Sequence, residues 1–247
     1  MKVIAVIPAR YDSIRFPGKL LAKLGTKPII QQVYEKAQNS GLFAEIVVGT
    51  DDQCIFETVD KFGGKVTLTS KKHSSGSDRI AEVCRKIICC QDADIVVNIQ
   101  GDEPFISYEP LKDLIDSFQD ENVQVASLMH KMKKDFANPN SVKVVCDKNN
   151  FSLYFSRSII PFDRDKNEDM KPEYFKHIGV YAFRREMLFK FVEMPHGKLE
   201  ELEKLEQLRL LENGIRIKMI ETDYEGIGID TPEDLEKAKK LLELKPD

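Results

Sequence analysis

Short, wholly apolar runs alternate with stripes of helical period along the first half of the chain. Val3–Ile7 is a continuous apolar run, the pattern of a strand covered on both faces. Pro8 closes it, and a polar, basic stretch from Ala9 to Lys19 follows. Pro28 suits a first helical turn. Beyond it Ile29, Ile30, Val33 and Ala37 recur at helical spacing, and Gly41 fits the helix end. Glu45–Gly49 predicts a second buried strand. Asp51 or Asp52 can cap the helix that then carries Ile55, Val59 and Phe62. Lys65–Thr69 predicts a third strand. The next helix places Ile80, Val83, Cys84, Ile87 and Ile88 at i, i+3, i+4, i+7 and i+8. Ile95–Ile99 predicts a fourth strand, followed by a helix over 108–119 and a strand near 123–128.

The connections between these strands are too long for hairpins and are helical. They imply right-handed crossovers and a parallel sheet. The expected fold class is therefore α/β: an open, mostly parallel sheet of the nucleotide-binding type with helices on both faces.

The second half is less regular and reads as a smaller mixed α/β portion. Val142–Val145 and Ser152–Phe155 predict a β-pair around the turn-rich Asp147–Asn150. Residues 163–173 are charged and read as a surface loop. His177–Phe183 predicts a strand. Leu199–Leu211 predicts one amphipathic helix, with Leu202, Leu205, Leu208 and Leu211 as a core or dimer seam. Ile215–Ile220 predicts a strand. Thr231, Pro232 and Asp234 open a final helix as cap, first position and capping-box partner.

Composition narrows the class. With 247 residues and 42% hydrophobic content, the chain can bury a substantial core. No apolar run reaches the roughly 18–20 residues of a membrane span. The N-terminus enters a strand-like run at once, so no signal peptide is expected. Thirty-seven basic against 41 acidic residues give a net charge of −4. The basic residues are scattered, which argues against a nucleic-acid partner. The five cysteines show no C-x-x-C spacing and read as small apolar residues in a reducing compartment. The four histidines are too dispersed for a zinc site.

In an open α/β sheet, ligands bind beyond the carboxyl ends of the strands. Three polar segments fall there: 8–19, 70–79 and 100–104. The first holds Arg10, Arg15 and Lys19 around Pro17-Gly18. Cations this close suit an anion, although a solvated basic loop is the competing reading. Neither G-x-x-x-x-G-K-[ST] nor G-x-G-x-x-G occurs there, which disfavours Walker and Rossmann sites. The second segment puts Ser77 and Asp78 at a helix N-terminus, to meet an anion or a base edge or simply to cap the helix. The third carries Asp102 directly after a buried strand. Asp230 follows a similar strand-like end, in Gly226-Ile227-Gly228-Ile229-Asp230. Two carboxylates in one crevice suit Mg²⁺ with phosphates and water completing its shell; capping is the ordinary alternative for either one.

Eight stretches taken in order carry a family resemblance: IPARYDSIRFPGK (7–19), HSSGSDR (73–79), VNIQGDEP (97–104), NSVKVVCD (140–147), LYFSRSIIPFDRD (153–165), KHIGVYAFR (176–184), LEKLEQLRLLENG (202–214) and GIDTPEDL (228–235). The chain resembles the 3-deoxy-manno-octulosonate cytidylyltransferases, or CMP-Kdo synthetases, over nearly its whole length. The opening loop is shared with nonulosonate cytidylyltransferases; the later stretches favour Kdo. The resemblance implies a nucleotidyltransferase that converts CTP and Kdo to CMP-Kdo and pyrophosphate for lipopolysaccharide biosynthesis. It implies a single domain with a CTP-binding portion (1–128), a sugar-acid and dimerisation portion (129–200) and a return carrying the second metal ligand (201–247).

The resemblance further implies that Arg10, Arg15 and Lys19 bind the triphosphate and that Ser77 and Arg79 contact the nucleotide. Gln100 and Asp102 would lie where nucleotide, metal and sugar meet, with Asp102 and Asp230 as Mg²⁺ ligands. Lys19, Asp102 and Asp230 form the implied catalytic set. Arg157, Arg164, His177, Tyr181, Glu206 and Gln207 would line the sugar-acid pocket. The implied assembly is a cytoplasmic homodimer, with neither membrane nor nucleic acid as partner. Phe162 stands where relatives often have Trp, and Tyr11-Asp12 replaces smaller residues, which bears on pocket shape. Taken singly, Tyr181 reads as core or interface, Glu206 as a solvated helix face and His177 as structural. Competing functions are a cytidylyltransferase for an 8-amino Kdo analogue or a nonulosonate, and a non-catalytic nucleotide-binding module.

Overall fold

Strand β1 (Val3–Ala9) is buried along nearly all its length, and in the computed structural model it lies at the centre of the first of two compact units. The structure describes residues 1–13, 15–73, 75–165 and 172–244. The first unit comprises residues 1–111 and 226–247, the second 112–225.

After β1 a two-residue ribbon, β2 (Lys23–Leu24) and β3 (Lys27–Pro28), leads into α1 (Ile29–Asn39). Then come β4 (Glu45–Thr50), α2 (Gln53–Lys61), β5 (Val66–Leu68), α3 (Gly76–Lys86) and β6 (Ile95–Asn98). α4 (Tyr108–Asp116) runs across the unit boundary. In the first unit the strands are ordered β6-β1-β4-β5, and every pair is parallel. That is the arrangement required by apolar runs joined through helices. Ile4, Val6 and Ile7 have no exposed surface; burial of each such side chain is worth about 1.5–3 kcal/mol. Asp52 caps α2 as expected, its carboxylate accepting from the N–H groups of Cys54 and Ile55 at 2.8 and 3.1 Å.

The second unit is mixed. It contains β7 (Val125–Lys131), β8 (Lys143–Cys146), β9 (Ser152–Ser156), β10 (Phe175–Arg184), α5 (Arg185–Glu193), α6 (Lys198–Glu203), α7 (Leu208–Glu212) and β11 (Ile217–Glu221). β7 pairs antiparallel with β10 and parallel with β11, while β8 pairs antiparallel with β10 and β9. The strand near 123–128 thus belongs with the later strands. The chain ends in α8 (Pro232–Leu244), which is part of the first unit.

Two helical expectations need correction. α3 stops at Lys86; Ile87 is extended and Ile88 is 82% exposed. A 3-10 turn over Ile88–Cys90 buries Cys90 in its place, so the i+7 and i+8 positions leave the stripe. The helix expected from Leu199 to Leu211 is broken into α6 and α7. Lys204 takes a left-handed conformation with φ 52°. The cause is a buried ion pair. The Arg209 guanidinium donates to both Glu200 oxygens at 2.7 and 2.6 Å. In a continuous helix, residues nine apart would be separated by roughly 13 Å along the axis, so the chain must fold back to form it. The charged stretch 163–173 includes residues 166–171, which lie outside the described residues.

Candidate active site

β1 and β6 are parallel neighbours, so the loops that leave their carboxyl ends emerge side by side. The first loop is closed by Gly18, whose N–H donates to the Tyr11 carbonyl at 2.9 Å. Gly18 has φ 68°, a left-handed conformation that favours glycine. Directly after it, a 3-10 turn over Lys19–Leu21 buries Leu20. Leu20 anchors the turn, and Lys19 is directed to the second loop. There Gly101 permits a close approach: a Cβ on it would lie 3.3 Å from both Leu20 Cδ1 and the Pro8 carbonyl oxygen.

The charged groups converge at this point. Lys19 Nζ is ion-paired with Asp102 Oδ2 and lies 2.9 Å from Asp230 Oδ1. Arg15 Nη2 is 3.0 Å from Asp230 Oδ2. Both carboxylates bind one ammonium, so their nearest oxygens are no more than about 6 Å apart. Burial works against the charge on Lys19, but attraction and hydrogen bonds from Asp102 and Asp230 outweigh it and raise its pKa. The Asp230 segment is fixed on both sides. Ile229 N–H donates to the Asp102 carbonyl at 2.9 Å. Asp234 accepts from Thr231 N–H at 3.1 Å while Thr231 Oγ1 accepts from Asp234 N–H at 3.2 Å, the expected capping box of α8.

A cleft of about 240 Å³ opens beside Lys19 and Asp102, with Arg10, Asp12, Ser13, Gly76 and Gln100 in its wall. Among the described residues Arg10 Nη2, buried there, has no hydrogen-bond partner, a donor suited to an anion. Gln100 Nε2 donates to Asn98 Oδ1 at 3.1 Å. From the sequence Ser13 and Gly76 had no assigned role, and Asp12 only a bearing on pocket shape. Gly76 was legible from the S-x-x-D pattern of Ser75 and Asp78, which form the capping box of α3. Ser75, rather than Ser77, is thus the cap, and Ser77 is buried in the first turn.

Arg79 has no exposed surface. Its guanidinium lies 2.6 Å from Asp51 Oδ2 and also donates to Thr69 Oγ1. It ties the residues after β4 and β5 together beneath α3 and is absent from the cleft wall.

In the second unit, β10 carries a bulge between Ile178 and Tyr181. Ser127 Oγ stitches it, 2.9 Å from the Val180 carbonyl and 3.0 Å from His177 Nε2. With its single proton on that carbonyl, the hydroxyl accepts from His177. The His177 and Tyr181 rings lie 5.3 Å apart. Both keep some accessible surface yet sit deep in protein. Burial, aided by Lys176, lowers the His177 pKa to about 3, so the imidazole is neutral. Burial and the charge of Glu206 raise the Tyr181 pKa, against a small opposing effect of Ser127. Gln207 is buried, and among the described residues its Nε2 has no hydrogen-bond partner. Arg157 donates to the carbonyls of Glu203, Pro139 and Lys204 at 2.7, 2.9 and 3.3 Å. Arg164 is exposed.

A family model described as cytidylyltransferase matches residues 4–217. A relative in Thermodesulfovibrio yellowstonii named 3-deoxy-manno-octulosonate cytidylyltransferase is 53% identical, with 98% of each chain covered. The chain belongs to the 3-deoxy-manno-octulosonate cytidylyltransferase family. A second such cytidylyltransferase, from Flavobacterium johnsoniae, is 50% identical over 98% of this chain and 99% of its own. A solved CMP:2-keto-3-deoxy-manno-octonic acid synthetase complexed with CTP superposes with a TM-score of 0.92 at 42% identity, covering 99% of both chains. At 16% identity, a 4-diphosphocytidyl-2C-methyl-D-erythritol synthase from Anaerococcus prevotii shares the fold with a TM-score of 0.66 over 98% of both chains. The open α/β sheet expected from the alternation of strand and helix patterns is therefore found, with the cytidylyltransferase architecture that the resemblance implied.

Proposed function

We propose that this cytidylyltransferase couples CTP to 3-deoxy-manno-octulosonate, releasing pyrophosphate. The observation that carries the reading is the meeting of Lys19, Asp102 and Asp230 beside a cleft that Arg10 also lines, at the carboxyl ends of parallel strands. The anomeric hydroxyl oxygen of the sugar acid forms a bond to the α-phosphorus. The bond from that phosphorus to the bridging oxygen breaks, pyrophosphate takes the electron pair, and the hydroxyl proton passes to solvent. Both substrates are anions, so catalysis is chiefly positioning and charge compensation. Arg10, Arg15 and Lys19 bind the triphosphate and offset charge developing on the leaving group. Gln100 and Ser77 support the nucleotide side.

The two carboxylates fit Mg²⁺: their oxygens are hard donors, and two of them leave most octahedral positions to phosphates and water. Asp102 and Asp230 would hold the ion, which when bound supplies positive charge at the α-phosphate. On the sugar side, neutral His177, Tyr181, Glu206 and Gln207 read hydroxyls. Arg157 shapes the pocket through the turns it holds and offers its remaining donors to the carboxylate, with Arg164 nearby in sequence.

The homodimer follows the family resemblance, with the exposed apolar residues Leu153, Ile159, Phe162 and Leu202 of the second unit as candidates for its interface. Among the described residues no cysteine forms a disulfide, which suits the cytoplasm. The decisive experiment is pyrophosphate release across four nucleoside triphosphates with Kdo, an 8-amino Kdo analogue and a nonulosonate. Release with CTP and Kdo is expected to dominate. Preference for another acid sugar would reassign the substrate, and no release with any pair would leave a nucleotide-binding module.

A further inference from the structure

Lys19 occupies one oxygen of each carboxylate read here as a metal ligand. Its ammonium donates to Asp102 Oδ2 and to Asp230 Oδ1, while Arg15 takes the other Asp230 oxygen. A hard divalent cation and an ammonium compete for these carboxylates, and at such short range their like charges repel. Lys19 is nevertheless free to exchange partners: its turn is anchored by buried Leu20, and only a flexible four-carbon stem must move. The phosphates of the nucleotide offer it a more negative destination.

We infer that the Lys19 ammonium is a built-in counterion for the Asp102–Asp230 pair, holding the two carboxylates together in the nucleotide-free enzyme and leaving them for the triphosphate when metal and nucleotide arrive together. The inference rests on the reading of these carboxylates as metal ligands. Its consequence is an order of binding: the bare divalent ion binds the free enzyme weakly, and the ion enters with CTP. Lys19 thus keeps two facing acids assembled before any substrate is present.

The test is Mn²⁺ titration of the nucleotide-free full-length protein, followed by electron paramagnetic resonance of the unbound ion. Lys19→Met should bind Mn²⁺ about tenfold or more tightly than wild type, because the competing charge is gone. Its melting temperature should be below that of wild type without metal and recover as Mn²⁺ is added. Should Lys19→Met not fold, Lys19→Gln makes the same comparison. Equal or weaker Mn²⁺ binding by the uncharged variant, with binding still lost in Asp102→Asn, would overturn the counterion while leaving the ligand assignment standing. Retention of the gain in Lys19→Met/Asp102→Asn would overturn the ligand assignment itself, and the inference with it.

Discussion

Lys19 and Asp230 are 211 positions apart in the chain and 2.9 Å apart in the fold. The contact exists because the chain, after building the second unit, returns to the first and fixes Asp230 between the Ile229–Asp102 backbone bond and the capping box of α8. A cation on one loop and acids on two others form a single electrostatic unit.

Removing either acid should stop the chemistry and spare the fold. Asp102→Asn and Asp230→Asn are expected to lower kcat by about 10²–10³-fold or more, the scale of losing one electrostatic contact in a transition state. Pyrophosphate release at saturating CTP and Kdo reads the rate, and circular dichroism reads the fold. Near-normal turnover would remove the residue from the catalytic set.

Arg79 should act on stability more than on nucleotide affinity. Arg79→Met removes the enclosed half of a part-buried pair with Asp51, and losing that charge-assisted contact should cost about 1.5–3 kcal/mol. Urea unfolding measures the loss. A large rise in CTP KM with unchanged stability would instead make Arg79 a direct nucleotide contact.

Gly49 lies on β4 where α3 crosses it. A Cβ there would sit 2.6 Å from Val83 Cγ2, so Gly49→Ala must push the helix away. Overpacking of this kind costs about 1–3 kcal/mol. Because α3 begins at Gly76 in the cleft wall, CTP KM should rise as well. Thermal unfolding and steady-state kinetics check both effects.

His177 gives acid sensitivity a definite direction. Its folded pKa, about 3, lies below the unfolded value of about 6.5. The unfolded chain therefore binds the extra proton between these pH values. The stabilising contribution is complete above pH ~6.5 and is lost progressively as pH falls towards ~3. In His177→Phe, stability should fall less between pH ~6.5 and ~4, by about 1–3 kcal/mol. Denaturant unfolding across that range tests it; an unaltered acid limb would show that His177 titrates normally.

Arg157→Ala should discriminate between the substrates. Loss of the clamp on Glu203, Pro139 and Lys204, together with its remaining donors, should reduce kcat/KM for Kdo by about tenfold or more, with CTP affected far less. The reverse pattern would refute its place on the sugar side.

Most of the parallel sheet was legible in the chain itself. Buried strands such as Val3–Ile7 and Ile95–Val97 declare themselves as unbroken apolar runs. Asp52 and Thr231–Asp234 announce their helices because a cap needs only neighbours three residues away. The ordered motifs likewise identified the family and nominated Lys19, Asp102 and Asp230. Other features required contacts that periodicity cannot encode. Glu200 and Arg209 break a plausible Leu-striped helix because a buried charge must meet its partner. β7 joins the later strands because β10 and β11 offer it backbone partners. Arg79 is enclosed because Asp51 and Thr69 arrive from two different strand ends. Local order follows from the nearest side chains, whereas the pairing of charges and strands distant in sequence is decided only when the packed chain brings them within a few ångströms.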